Sequence, residues 1–279
     1  MRPLDPERSV WRNGRKTDTA TVPVDLADPA IQHGLGLFET IAIRAGQCLD
    51  LEPHLDRLTS AAEHFAIPSP GAEALRQVLT KSAAEKPGTP GWVKVILTAA
   101  GDWVVFGGSM DLAEEGGAIR AVTLPWRRGP LGPISGFKSL NYGSNALGLR
   151  WAREHGGDEG LWFNHRNRLV EGCWSNVFVW RHRRLYTPAV REGLLPGVMR
   201  ANVIEAAKAH GIAVHDGPLR LRRLIRADQV FVTSSLRGLC PVTHLDGRPV
   251  GRPSGNSVVG RLAHSIGRRH FEVSGARFP

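Results

Sequence analysis

The chain has 279 residues, 42% of them hydrophobic, with 36 Lys+Arg against 26 Asp+Glu and a formal net charge of +10. That length and apolar content exclude a disulfide-stapled miniprotein and a disordered chain, and they allow one or two domains with a sizeable core. Only six of the bases are lysines (Lys16, Lys81, Lys86, Lys94, Lys138 and Lys208), so chemistry that needs a primary amine has few candidates.

In chain order, Ser9 to Arg15 holds Asn13-Gly14 between short extended stretches, a two-residue hairpin signal. Thr21 to Asp25 reads as extended, and Leu37 to Arg44 as a strand running into the Ala45-Gly46 turn. A helix is predicted from Pro53, with Leu55, Leu58, Ala62 and Phe65 on one face, and another over Gly71 to Lys81. Strands follow at Gly91 to Thr98 and Ala118 to Leu124. Pro125 to Gly136 carries three prolines and reads as an irregular connection. It divides the chain into a smaller domain over 1–124, a linker over 125–136 and a larger domain over 137–279.

Beyond the linker, Asn145 to His155 reads as a helix stopped by Gly156-Gly157. Gly160 to Asn164, Leu169 to Glu171 and Asn176 to Trp180 read as strands. Arg200 to His210 is a helix ended by Gly211. The densest basic run, Leu219 to Arg226, spaces Leu221, Leu224 and Ile225 as an amphipathic helix with a wet basic face. Gln229 to Thr233 is a strand, and Asn256 to Arg268 a last helix. Strands and helices do not alternate strictly, which favours an α+β fold over a doubly wound sheet.

The excess charge invites a polyanion partner, but the arginines spread along the whole chain. They read as surface composition, with no nucleic-acid partner expected. Cys48, Cys173 and Cys240 lie far apart, without a Cys-x-x-Cys pair, and suit reduced thiols in a cytoplasm. No secretory signal and no membrane span is visible. The histidines show no metal-ligand spacing, so no metal is expected. Gly34-Leu-Gly36 lacks the third glycine and the following helix of a dinucleotide loop, so its glycines are read as permitting close backbone approach.

Lys138, just beyond the linker, taken alone is an exposed loop lysine. The alternative is an amine that attacks an aldehyde. Glu171 stands among apolar and small residues and needs a cationic partner, which the protonated ring nitrogen of pyridoxal phosphate would supply. Leu195-Pro-Gly197 runs into a helix whose first N–H groups suit an anion. Thr233-Ser234-Ser235 adds hydroxyls after a strand. Together these describe an aldehyde trap, a pyridine clamp and a phosphate cup.

In this order the motifs resemble the class IV, or fold-type IV, pyridoxal-phosphate enzymes. These include branched-chain and D-amino-acid aminotransferases, (R)-selective amine transaminases and aminodeoxychorismate lyase. The resemblance rests on Gly34-x-Gly-x-Phe38-Glu39-Thr40, His54-Leu-Asp-Arg57-Leu58, Lys138-Ser-Leu-Asn-Tyr142, Glu171-x-x-x-Ser175-Asn176-x-Phe178, Thr187-Pro188, Leu195 to Arg200, Ala227-Asp-x-Val-Phe231 and Cys240-Pro-Val242. It implies a two-domain α+β fold with the cofactor in the interdomain cleft, and a homodimer. Lys138 would be the catalytic Schiff-base lysine and would shuttle the proton. Arg57, Tyr142, Glu171, Val198, Met199, Ser235 and Leu236 would hold pyridoxal 5'-phosphate.

Phe38, Thr40, Trp103 and Arg237 are candidate substrate residues, with Trp103 and Phe106 as an apolar wall. Ala42 stands where lyases and branched-chain enzymes often carry arginine, and the Arg-x-His trap of familiar D-amino-acid enzymes is missing. Ser235-Leu-Arg237-Gly238 resembles lyase-like members instead. The reading is a ping-pong aminotransferase between an amino acid or amine and a 2-keto acid. The alternative is 4-amino-4-deoxychorismate lyase, which releases pyruvate and 4-aminobenzoate.

Overall fold

The computed structural model describes residues 9–17, 21–85, 88–111, 115–251 and 257–274. The expectation about a leader segment falls on residues 1–8, outside this set. Two compact units result. The described residues up to 111, Phe137–Asn141 and 270–274 belong to the first; those from 115 to Gly136 and from Tyr142 to Arg269 belong to the second.

The first unit is built on a six-stranded sheet in the order β2-β1-β6-β5-β3-β4. Its strands are β1 (Val10–Arg12), β2 (Arg15–Thr17), β3 (Gly36–Arg44), β4 (Gln47–Cys48), β5 (Gly91–Thr98) and β6 (Trp103–Ser109), and every pairing is antiparallel. Asn13 and Gly14 close the predicted hairpin with φ of 49° and 81°, the left-handed pair that a tight two-residue turn requires. A short helix α1 (Pro29–His33) is capped by the Asp28 side chain and ends on Gly34 at φ 68°.

Helices α2 (Leu51–His64) and α3 (Ala72–Ala84) cover one face of this sheet. Alternation along β3 turns Leu37, Ile41 and Ile43 toward them, in a core with Leu55, Leu58, Leu75, Leu79, Val93, Val95 and Leu97. The other face carries Phe38 and Thr40, with Ile96 and Lys94 as their partners on β5. Thr21 to Asp25, which reads as extended, is assigned to no strand; Pro23 lacks the N–H that a ladder needs.

The second unit holds a nine-stranded mixed sheet in the order β12-β11-β10-β13-β14-β7-β8-β9, with β15 paired to β14. The strands are β7 (Ile119–Arg128), β8 (Glu159–Asn164), β9 (Leu169–Gly172), β10 (Asn176–Arg181), β11 (Arg184–Thr187), β12 (Val214–Asp216), β13 (Gln229–Ser234), β14 (Gly238–Leu245) and β15 (Arg248–Pro249). β7 runs parallel to both β14 and β8. It therefore continues through four residues expected in the linker, because its ladder to β8 resumes at Arg127 and Arg128 beyond an irregularity. The α+β expectation holds.

Helices α4 (Gly143–Glu154), α5 (Val198–Ala209), α6 (Leu221–Ile225) and the part of α7 (Val258–Ser274) up to Arg269 complete the unit. Phe178 and Phe231 stack at 5.1 Å between ring centroids, in a core shared with Met199 and Val203 of α5 and Leu262 of α7. The basic run at 219–226 forms only five helical residues: Leu224 is fully buried, whereas Ile225 is 53% exposed. Leu221 and Leu224 pack on the core while Arg220, Arg222 and Arg226 are exposed, so the amphipathic helix with a wet basic face is present but short, and Ile225 lies off its apolar side.

Candidate active site

Lys138 is held to the first unit by backbone pairing. Phe38 N–H donates to the Lys138 carbonyl at 2.9 Å, and Leu140 N–H donates to the Gly36 carbonyl at 2.8 Å. Leu37 and Ser139 form a single antiparallel bridge between them. A Cβ on Gly36 would stand 2.7 Å from both Leu140 Cδ1 and the Leu97 carbonyl oxygen. Close approach is therefore what the Gly34-Leu-Gly36 glycines provide. Lys138 Nζ lies 4.4 Å from the Phe38 ring centroid, and Lys94 Nζ lies 4.3 Å from the same centroid. Burial pushes the Lys94 ammonium below its ordinary range.

Behind Phe38, on the covered side of the sheet, Glu39 organises Arg57. Arg57 Nε donates to Glu39 Oε1 and Nη2 to Oε2, both at 2.7 Å, and His54 Nδ1 lies 2.7 Å from Oε2. Burial alone would raise the Glu39 carboxyl, but the Arg57 charge and then His54 overcome it and hold it at about 2. Arg57 is thus a clamped residue with its side chain 15% exposed, in contrast to a mobile surface arginine.

Trp103 departs from expectation. It pairs with Leu97 and belongs to the core under α2 and α3, on the face opposite Phe38 and Thr40. Strand alternation excludes it from their side, so its assignment to substrate is corrected. Phe106, opposite Lys94, does share the Phe38 face.

In the second unit Glu171, on β9, is buried. Its Oε2 accepts from Leu195 N–H at 2.9 Å, and its Oε1 lies 3.2 Å from Arg128 Nη2. Leu195 in turn accepts from Asn176 Nδ2 at 2.9 Å. A Cβ on Gly197 would fall 2.1 Å from Asn176 Oδ1, so this turn also requires glycine. Gly197 caps α5 without a side-chain hydrogen bond, so no side chain competes for the first-turn N–H groups of Val198 and Met199. Ser235 and Leu236 occupy the turn between β13 and β14, where Arg237 N–H donates to Ser234 Oγ at 3.3 Å. The neighbouring Thr233 hydroxyl is buried without a partner among the described residues. Tyr142 precedes α4, with its ring 5.2 Å from that of Trp174.

Glu159 escaped sequence reading because it follows a glycine-marked helix stop. Its Oε1 accepts from Gly160 N–H at 3.0 Å and Cys173 N–H at 2.9 Å, and its Oε2 from Ser175 Oγ at 2.8 Å. Burial raises this carboxyl despite those donors and the Trp174 N–H. The carboxylate thereby fixes the arc from Glu171 to Asn176. Arg128 was hidden in what reads as linker. Neither carried a sequence signal: Glu159 follows Asp158 after two glycines, and Arg128 follows Arg127 ahead of Gly129-Pro130. Among the described residues, no group of three or more His, Cys, Asp or Glu is arranged to hold a metal ion.

A family model of class IV amino-transferases matches residues 36–245. The chain belongs to the class IV aminotransferases. It is 27% identical to the branched-chain-amino-acid aminotransferase of Salmonella typhimurium, over 92% of this chain and 91% of that protein. It is 28% identical to the D-alanine aminotransferase of Listeria innocua, over 90% and 92%. The solved fold IV-transaminase of Curtobacterium pusillum superposes with a TM-score of 0.85 at 26% identity, covering 95% of this chain and 99% of that one. This class IV aminotransferase is accordingly an enzyme of a pyridoxal-phosphate-dependent class, and it has the mixed two-sheet fold of that class.

Proposed function

We propose that this class IV aminotransferase moves an amino group between an amino acid or amine and a 2-keto acid, with Lys138 as its Schiff-base lysine. The observation that carries the proposal is the pinning of Lys138 to β3 through the Phe38 and Leu140 hydrogen bonds, beside an apolar, aromatic sheet face. The residues present suit pyridoxal phosphate. The Gly197 turn is a cradle that any Cβ would fill, the Thr233 hydroxyl is an unmet polar atom next to the Ser235 turn, and Glu171 is a buried carboxylate. When bound, the cofactor supplies an electron sink for a carbanion at the substrate's Cα.

The chain's own groups do the rest. Lys138 Nζ takes and returns the Cα proton. Glu171 would hold the ring at its protonated nitrogen, and Tyr142 would hold it near the phenolic oxygen. Arg57, the Val198 and Met199 N–H groups, the Ser235 hydroxyl and the Leu236 backbone would hold its phosphate. Phe38 and Thr40 border the substrate, and Arg237 holds a carboxylate. A homodimer accords with the exposed Trp126, Leu131, Leu147 and Trp174 of the second unit, and a cytoplasmic location with three free, dispersed cysteines. Among the described residues no helix is long and apolar enough to cross a membrane.

The test is borohydride trapping. Incubation with pyridoxal phosphate followed by reduction should place one phosphopyridoxyl group on the Lys138 peptide, and Lys138→Ala should abolish it. Label on another lysine, or none, would sink the assignment. A panel of D- and L-amino acids and (R)-amines then reads donor handedness. Release of pyruvate from aminodeoxychorismate without transamination of any donor would select the lyase alternative.

A further inference from the structure

A buried carboxylate read from sequence as awaiting the cofactor's cation already has a cation of its own. Glu171 is 7% exposed in its side chain, and Arg128 Nη2 stands 3.2 Å from its Oε1. Arg128 is itself held in place. The same Nη2 donates to Asn145 Oδ1 at 2.6 Å, and the guanidinium carbon lies 5.1 Å from the Trp162 ring centroid, over its face. The strand geometry explains the meeting. Arg128 ends β7 and pairs with Asn164 of β8, while Glu171 pairs with Trp162 of β8. A helix residue, Asn145, and a strand residue, Trp162, thus fix the orientation of the arginine from two sides.

We infer that Arg128 is a positioning residue for Glu171, keeping its carboxylate ionised and aimed before any cofactor is present. The inference rests on the reading of Glu171 as the pyridine-nitrogen partner. Without a cation, a carboxylate at this depth is costly and takes up a proton. A protonated Glu171 no longer attracts a positively charged ring. With Arg128 present the negative charge is retained, Leu195 N–H fixes the second oxygen, and the carboxylate is pre-organised. Two titratable groups near it bring no positive charge. Glu159 is acidic and engaged with Gly160, Cys173 and Ser175, and the Cys173 thiol is pushed up by burial and then by Glu159.

The test is the pH dependence of melting of the full chain without cofactor, for wild type, Arg128→Met, Arg128→Lys, Glu171→Gln and the Arg128→Met/Glu171→Gln pair. In Arg128→Met the buried acid has lost its cation, so its folded-state pKa rises above the unfolded value. Its penalty is then absent when the acid is protonated and grows as pH rises. Arg128→Met should melt on the order of 10 °C below wild type at pH 8, with the deficit shrinking by about half or more at pH 5. Arg128→Lys, which keeps the charge, should recover most of the deficit. In the Glu171→Gln background Arg128→Met should cost only a few degrees at either pH. A deficit equal at both pH values, or undiminished by Glu171→Gln, overturns the inference, because lost packing alone would produce it. These melts are independent of borohydride trapping: trapping at Lys138 with a pH-independent Arg128→Met deficit rejects only the Arg128 role. A failed trapping with the pH-dependent deficit leaves the ion pair and rejects the cofactor reading.

Discussion

At the scale of single residues, the buried charges have acquired partners that sequence pattern does not reveal. Glu39 is in the recognised Phe38-Glu39-Thr40 motif, yet its work is done fifteen and eighteen residues away, on His54 and Arg57 of α2. Because the folded value is held at about 2, below the ordinary carboxylate range, its contribution is full near neutrality. It is lost as pH falls from the unfolded value through about 2. Glu39→Gln should therefore cost roughly 3 kcal/mol at pH 7, measured by urea unfolding, and much less near pH 2.5. If the loss were the same at both pH values, the ion pair would not be its origin. Glu159→Gln has a different logic. An amide nitrogen replaces one acceptor oxygen amid backbone and hydroxyl donors, so a loss of about 1–3 kcal/mol is expected. Faster amide exchange at Cys173 would locate that loss in the arc after Glu171. Glu39 was legible in its motif but not its pairing with His54 and Arg57, and Glu159 was not read at all, because Cys173 and Ser175 lie fourteen and sixteen residues away. Trp103 was misread for a similar reason: one strand position decides whether an aromatic faces core or substrate, and β6 itself was not foreseen.

At the scale of elements, strong period and punctuation carried over into structure. Gly91–Thr98 is a strand over the predicted residues, and α5 ends near the predicted Gly211 stop. Short strands on the far edges, β11, β12 and β15, have two to four residues and no pattern long enough to recognise. Irregular-looking Pro125 to Arg128 became strand because β8 supplied partners for Arg127 and Arg128, which local propensity cannot encode. The Gly-x-Gly motif shows the reverse, a local signal with a definite geometric task. Gly36→Ala would press a methyl against the Leu97 carbonyl and Leu140. The backbone cannot yield cheaply on the carbonyl side, so Lys138–Leu140 should be displaced from β3. Stability should fall by about 1–3 kcal/mol, and Lys138 labelling by pyridoxal phosphate should slow at least tenfold at equal folded fraction. Normal labelling in a folded Gly36→Ala protein would show that the backbone bridge is not what sets the lysine.

At the scale of the whole molecule, the candidate site was legible largely as an ordered set of motifs, carried by two units with separate cores. The residues proposed to hold the cofactor are Arg57 and Lys138 in the first unit and Glu171, Val198, Met199 and Ser235 in the second. A ligand bound by the folded state alone stabilises it by mass action. At about a hundredfold excess over its dissociation constant, pyridoxal phosphate should add roughly 2.7 kcal/mol, a rise of several degrees in Tm. Pyridoxal without phosphate should stabilise less at equal concentration, because the Arg57 side chain and the α5 N–H groups have no anion to meet. Inorganic phosphate should give a smaller rise that Arg57→Met removes. Lys138→Ala should keep much of the pyridoxal-phosphate effect, since phosphate and ring contacts survive loss of the covalent bond. The distinction separates the lysine's chemical task from the cup's binding task. Equal stabilisation by pyridoxal and its phosphate would contradict the assignment of the α5 terminus and Arg57 to the phosphate, even if Lys138 were labelled as expected.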